Sequence, residues 1–204
     1  MNNDEIIKKI NDGNISLIGI KNEYSVVIPF VEKDNTSFIL LEKRSAKLIT
    51  QPGEVSFPGG KIEKNESSVD AAFRELYEET GIRKEKINFI TEGDIFVSPF
   101  NLIIYSYIGF TDYKNIDLNV KNEEVEELFL VPVNFFMKNK PEVHVVNMYT
   151  KTNSFFPHEF IPDGENYKWR DAQYPVYFYK YEDKIIWGLT AKFIFEVVKK
   201  INKK

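Results

Sequence analysis

Residues 60–82 read GKIEKNESSVDAAFRELYEETGI, and the start, stop and buried face of a helix can all be read from them. Ser67 or Ser68 supplies a hydroxyl to an otherwise orphaned backbone N–H at the start. Val69, Ala72, Phe73 and Leu76 recur every three or four residues as one apolar stripe. Gly81 accepts the left-handed backbone that ends a helix. The spacing predicts a helix over residues 67–80. Glu75, Glu78 and Glu79 are related by i, i+3 and i+4, so they leave it on one side. Carboxylates repel at that spacing, and the nearest cation on the sequence, Arg74, stands beside the three rather than between them. Taken bare, an acidic helix face is usually a solvated one. Three carboxylates without an interleaved cation instead suit a hard divalent ion, which prefers oxygen ligands. The preceding Gly59-Gly60 lets backbone approach a ligand and turns amides toward an anion. Glu66, across the loop, can pair with Arg74 or join the carboxylates.

The flanking pattern is mixed. Apolar residues at helical spacing (Ile6, Ile7, Ile10) before Gly13 predict a short leading helix at about 3–12. Strands are expected at 24–31 and 37–42, joined by a polar Asp34-Asn35 turn, with Pro29 suggesting an edge or a bulge in the first. Residues 45–60 read as a loop rich in Pro and Gly. Further strands are expected near 87–96, 101–110, 127–131, 143–149 and 174–181, with a short helix started by Pro132. Residues 150–173 read as a long polar loop, and 187–201 as an amphipathic helix with its lysines at the C-terminal end, where they suit the dipole. One α/β domain of 204 residues, with a closing strand and helix over about 174–202, is the expected organisation.

Composition narrows the function. The net charge of −4 argues against a general nucleic-acid binder, which needs a basic face. An anionic substrate therefore needs local compensation, from a divalent cation or a few Lys and Arg. With no cysteine, thiolate metal sites, thiol nucleophiles and disulfides are excluded. No run has the length of a signal peptide or a membrane span, so a cytoplasmic protein without membrane association is expected.

Gly60, five residues, Glu66, seven residues, then Arg74-Glu75-Leu76-Tyr77-Glu78-Glu79-Thr80-Gly81-Ile82 resembles the Nudix box, G-x5-E-x7-R-E-U-x-E-E-x-G-U, at all nine specified positions. The resemblance implies an α/β/α sandwich around a mixed sheet, with the box as a loop–helix–loop. It also implies hydrolysis of a nucleoside diphosphate joined to another moiety, using Mg²⁺ or Mn²⁺. By position, Glu75, Glu78 and Glu79, with Glu66 as a further candidate, would hold the metal, and Arg74 would brace the helix and loop. Homodimers are common in the superfamily, so one is implied by analogy.

Upstream, LLEKRSAKLITQPGEVSFPGG (residues 40–60) resembles the signature of the coenzyme A pyrophosphatase branch, L-L-T-x-R-S-x3-R-x3-G-x3-F-P-G-G. Leu40, Leu41, Arg44, Ser45, Gly53, Phe57, Pro58, Gly59 and Gly60 fit. Glu42 stands where Thr is usual, and Ile49 where a second Arg is expected; Lys47 is the nearby cation. Arg44, Ser45, Lys47, Phe57, Gly59 and Gly60 are accordingly expected against the substrate. The resemblance implies attack of water on the pyrophosphate of a CoA-like nucleotide, giving 3′,5′-ADP and 4′-phosphopantetheine, with Glu78 or Glu124 accepting the proton. A Nudix hydrolase for ADP-ribose or a dinucleotide is the alternative that Ile49 keeps open. A non-catalytic nucleotide-binding module is a third, opposed by the intact ligand set.

Other conspicuous residues have plainer expectations. Glu123, Glu124, Glu126 and Glu127, each taken singly, read as an ordinary solvated run, with general base as the sharper reading for Glu124. His144 and His158 lack a second histidine at ligand spacing. Phe155, Phe156 and Phe160 are expected to pack beneath their loop or in a dimer contact, with stacking on an adenine as the alternative. Trp187, Leu189 and Phe193 are expected to anchor the last helix.

Overall fold

A computed structural model describes residues 2–11 and 17–203. Helix α1 (Asn3–Asn11) is followed by strands β1 (Asn22–Lys33) and β2 (Thr36–Arg44). Asp34 and Asn35 turn between these strands with φ of 48° and 56°, the left-handed geometry of a tight hairpin. The Gly13 stop foreseen for α1 lies outside the described residues. Then come β3 (Val55–Ser56), β4 (Gly59–Lys61), α2 (Ser68–Thr80), β5 (Phe89–Val97), β6 (Leu102–Asp112) and β7 (Val125–Pro132). The chain closes with α3 (Val133–Lys138), β8 (Glu142–Met148), β9 (Ala172–Tyr181), β10 (Lys184–Trp187) and α4 (Gly188–Ile201).

Seven strands form one mixed sheet, in which β1 runs parallel to β6 and antiparallel to β2. Far from being an edge, β1 lies at the centre. Its other side is shared, with β4 paired to residues 24–26 and β2 to residues 30–33. Pro29 falls where the two ladders part, so on that side its missing N–H costs no ladder bond.

Alternation along β2 separates the two faces of the sheet. Ile39 and Leu41 join a core with Ile28, Ile194 and Val197, under α3 and α4. Leu40 points the other way, to a core with Val27, Ala72, Phe73 and Leu76, under α2. The result is the expected sandwich, helices on both faces of a mixed sheet. Phe193 anchors α4 beside Ile194, whereas Trp187 is over a third exposed and stacks on Phe178.

A second sheet, β10-β9-β8, is antiparallel and separate from the first. Residues 150–171 form a loop containing two short 3-10 turns, His158–Phe160 and Gly164–Asn166. In that loop Phe156 packs against His158 and Trp169. Phe155 and Phe160 are 92% and 80% exposed, so packing beneath the loop accounts for one of the three rings. No helix among the described residues is long and apolar enough to cross a membrane.

Candidate active site

The box helix α2 is fixed at both ends by the residues its sequence suggests. Ser67 caps it, its hydroxyl accepting from the Asp70 amide at 3.2 Å. Gly81 closes it at φ 72°, donating to the Tyr77 carbonyl at 2.8 Å. Because Leu76 faces the sheet, Glu79, three residues on, is carried inward and is 2% exposed. Glu75 is half-buried at the rim, and the Glu78 side chain is 54% exposed. The three carboxylates thus form a gradient from core to solvent.

Arg74 is the hub that holds them. Its guanidinium donates to both oxygens of Glu66 at 2.9 and 3.0 Å, to Glu75 at 2.7 Å and to Glu78 at 3.2 Å. It also reaches the Lys61 carbonyl at 3.1 Å, tying helix to turn. In space, then, a cation does stand between Glu75 and Glu78, which the linear order conceals. Of the two roles open to Glu66, the structure shows the pairing with Arg74, which holds its carboxyl below the usual range with help from the Glu63 amide.

The glycine turn is shaped by the same carboxylates. The Gly59 amide donates to Glu79 Oε2 at 2.7 Å, so the anion it faces is the protein's own. A side-chain carbon at Gly60 would overlap the Glu75 carboxylate. Phe57, expected against the substrate, is instead 4% exposed within the core under α4, because β3 turns it away from the α2 face.

Loop 45–53 is stapled at its base, where the Arg44 amide bonds to the Glu54 carbonyl at 2.9 Å and the Gly53 amide to the Arg44 carbonyl at 3.2 Å. The Ser45 hydroxyl accepts from the Lys47 amide within the loop. Lys47 and Ile49 are exposed. Arg44 Nε is buried without a hydrogen-bond partner. Asn122 fixes the segment carrying Glu124: it donates to the Glu78 carbonyl at 3.0 Å and accepts from the Glu124 amide at 2.9 Å. Ser45 donates to the Glu124 carbonyl at 2.7 Å. Glu126 and Glu127 point elsewhere, to Lys43 and Lys184, as a surface run should.

Sequence reasoning noted Glu42 only as a departure from a pattern. It follows Leu40 on β2, so it faces α2, and it is fully buried. Its Oε1 accepts from the Ser56 hydroxyl at 2.9 Å; its Oε2 has no partner. Burial pushes its carboxyl up to about 7, with the charges of Glu124 and Glu75 adding and Ser56 and Arg44 opposing. Burial likewise pushes Glu79 up to about 9, with Glu42 the next cause and Glu75 adding, against the Gly59 amide and Arg44. Glu75 is raised by burial and by Glu78 and Glu124, against Arg74.

Among the described residues no three carboxylates close around one point at coordination distance. Arg74 draws Glu75 and Glu78, and Gly59 holds Glu79. The donor set nevertheless fits a divalent cation. It is all oxygen, it is drawn together against mutual repulsion, and it includes a buried oxygen with nothing to bond.

The NUDIX domain profile matches residues 21–167. The chain belongs to the Nudix family. It is 29% identical over 136 residues to a peroxisomal coenzyme A diphosphatase of Mus musculus, covering 66% of this chain and 56% of that protein. It is 30% identical over 174 residues to the mitochondrial Nudix hydrolase 15 of Arabidopsis thaliana, covering 82% and 54%. It thus spans little more than half the length of either. A MutT/nudix family protein from Enterococcus faecalis shares the fold, with a TM-score of 0.54 at 15% identity over 99% of this chain and 69% of that one. Nudix hydrolases work with divalent metal ions, in keeping with the carboxylates gathered on α2.

Proposed function

We propose that this Nudix chain is a metal-dependent pyrophosphohydrolase that cleaves coenzyme A or its thioesters to 3′,5′-ADP and 4′-phosphopantetheine, free or acylated. The observation that carries the hydrolase reading is the placement of Glu75 and Glu79 against the Gly59-Gly60 turn, with the charge of Glu75 acting on Glu79 and that of Glu124 on Glu75. The substrate class is supported by the run over residues 40–60 and by the mouse relative named as a coenzyme A diphosphatase.

Mg²⁺ or Mn²⁺ is the proposed cation, held by Glu75, Glu78 and Glu79; when bound it neutralises the pyrophosphate oxygens and acidifies the attacking water. The chain's own groups do the rest. Arg74 fixes the box carboxylates against the turn, so their positions are set before substrate arrives. Glu78 or Glu124, both solvent-facing, takes the proton of the attacking water. Arg44, whose Nε lacks a partner, is assigned to the substrate's phosphates, with Ser45 orienting the loop and Lys47 as a second charge. A cytoplasmic, nucleotide-directed enzyme, free or as a homodimer, completes the proposal.

One observation favours a second reading. Ile49 is wholly exposed, so this loop offers no guanidinium there for CoA's 3′-phosphate. A nucleotide without that phosphate, such as ADP-ribose or a dinucleotide, would not need it. The test is a panel of CoA, acetyl-CoA, ADP-ribose and diadenosine tetraphosphate with Mg²⁺ or Mn²⁺, products resolved by chromatography. The expected result is turnover of CoA or its thioester to 3′,5′-ADP. Turnover of ADP-ribose with CoA untouched refutes the CoA assignment, and turnover of none refutes the hydrolase.

A further inference from the structure

Glu42 is hard to explain as a structural residue. It lies near the C-terminal end of β2, between two neighbouring strands, paired with Ser56 on one side and Leu128 on the other. Neighbouring positions on the strand are filled by Leu40 and Leu41, both fully buried. Continuing that face with an apolar residue or a hydroxyl would cost little, whereas a buried carboxylate is costly unless every oxygen is satisfied.

Its satisfaction is only half complete. The Ser56 hydroxyl serves Oε1, and Arg44 Nη1 stands off the same oxygen at 3.9 Å, beyond hydrogen-bond reach. Nothing serves Oε2, which is shut off from solvent. Carboxylate charge acts on Glu42 from Glu124 and Glu75, and Glu42 acts in turn on Glu79, with Arg44 the one opposing charge. A fully buried carboxyl on the box-helix side of the sheet, with one oxygen idle, has an open coordination position to offer a cation.

We propose that Glu42 Oε2 is a ligand of the divalent cation held by the box glutamates, an addition from the sheet to a set otherwise supplied by α2. This rests on the metal-dependent hydrolase reading above. It also gives a physical sense to the departure from Thr at this position: a Thr side chain is too short to reach, so the chain has gained a ligand there. Ser56 then acts as a positioning residue, because fixing Oε1 aims Oε2.

The test measures metal directly on the purified full chain. Mn²⁺ affinity is read by calorimetry or by electron paramagnetic resonance of free Mn²⁺, for wild type, Glu42→Gln, Glu42→Thr and Glu79→Gln. Gln keeps the volume and the acceptor for Ser56, so folding is preserved, and an unchanged circular dichroism spectrum checks this. A loss of roughly tenfold or more in Mn²⁺ affinity is expected for both Glu42 variants. Water-proton relaxation of bound Mn²⁺ should report about one extra water in Glu42→Thr, a change that loss of a distant charge would not produce. Wild-type affinity in both Glu42 variants, with Glu79→Gln weakened, overturns the inference and leaves the hydrolase reading standing. An unchanged water count overturns it too. Wild-type affinity in Glu79→Gln as well overturns both.

Discussion

Raising the pH of the metal-free protein should destabilise it, and the site dictates by how much. Burial and neighbouring charge raise the Glu42 carboxyl from 4.5 to about 7. Between those values the unfolded chain has lost its proton and the folded chain has kept it. The folded state therefore binds more protons, and stability falls as pH rises through this window. A rise of about 2.5 units corresponds to about 3 kcal/mol. About 1.5 of those units, roughly 2 kcal/mol, lie above about pH 5.5, and for a chain of this length that is a drop of roughly 4–8 °C in Tm. Glu79, raised to about 9, extends the fall to higher pH. The Glu42–Glu79 repulsion enters both shifts, so the two are not summed.

Opposing groups lie outside the window. Glu66, Glu126, Glu142 and Asp183 are all shifted down, and their stabilisation is complete above about pH 5. The assay is thermal melting in a chelator from about pH 5.5 to about pH 8.5, repeated with saturating Mg²⁺ or Mn²⁺. Metal should restore much of the lost Tm at the upper end and release protons on binding. Glu42→Gln should flatten the metal-free slope. A slope that is flat in wild type, or equally steep in Glu42→Gln and Glu79→Gln, would refute the reasoning.

Two glycines one bond apart should fail differently. Gly60→Ala displaces only the mobile end of Glu75, so kcat should drop by at least an order of magnitude while Tm moves by about 2 °C or less. Gly59→Ala sets a methyl against the Ser25 carbonyl and the Val26 backbone, breaking the β1–β4 pairing, so soluble expression or Tm should collapse; equal stability of the two variants contradicts this. Ser67→Ala removes the α2 cap and should cost about 1 kcal/mol in urea unfolding, with CoA turnover retained.

The helix was legible because every instruction for it is local. Cap, stripe and stop fall within residues 67–81, and nothing distant overrides them. The identity of the carboxylates was legible for the same reason, but their inequality was not. Which of Glu75, Glu78 and Glu79 is buried depends on how α2 rests on the sheet, a tertiary fact. Glu42 was hidden for a related reason. Its meaning comes from strand parity, since facing the side of Leu40 rather than that of Leu41 puts it under the box helix. Phe57 misled because a residue beside the glycine turn need not share the face on which the carboxylates lie. Pro29 misled because a central strand can change partners halfway along. The separation of β8, β9 and β10 into their own sheet depends on long-range pairing that alternation does not encode.

The stapled loop has an evolutionary corollary. Its two ends are locked together by main-chain bonds at Arg44, Gly53 and Glu54, whose strength does not depend on which side chains lie between. Residues 45–53 can thus be rewritten, lengthened or exchanged while β2, β3 and the carboxylates beneath stay where they are. On the function proposed above, what cleaves the substrate and what chooses it are then built as separate modules, and a change at a loop position such as Ile49 alters the second without disturbing the first.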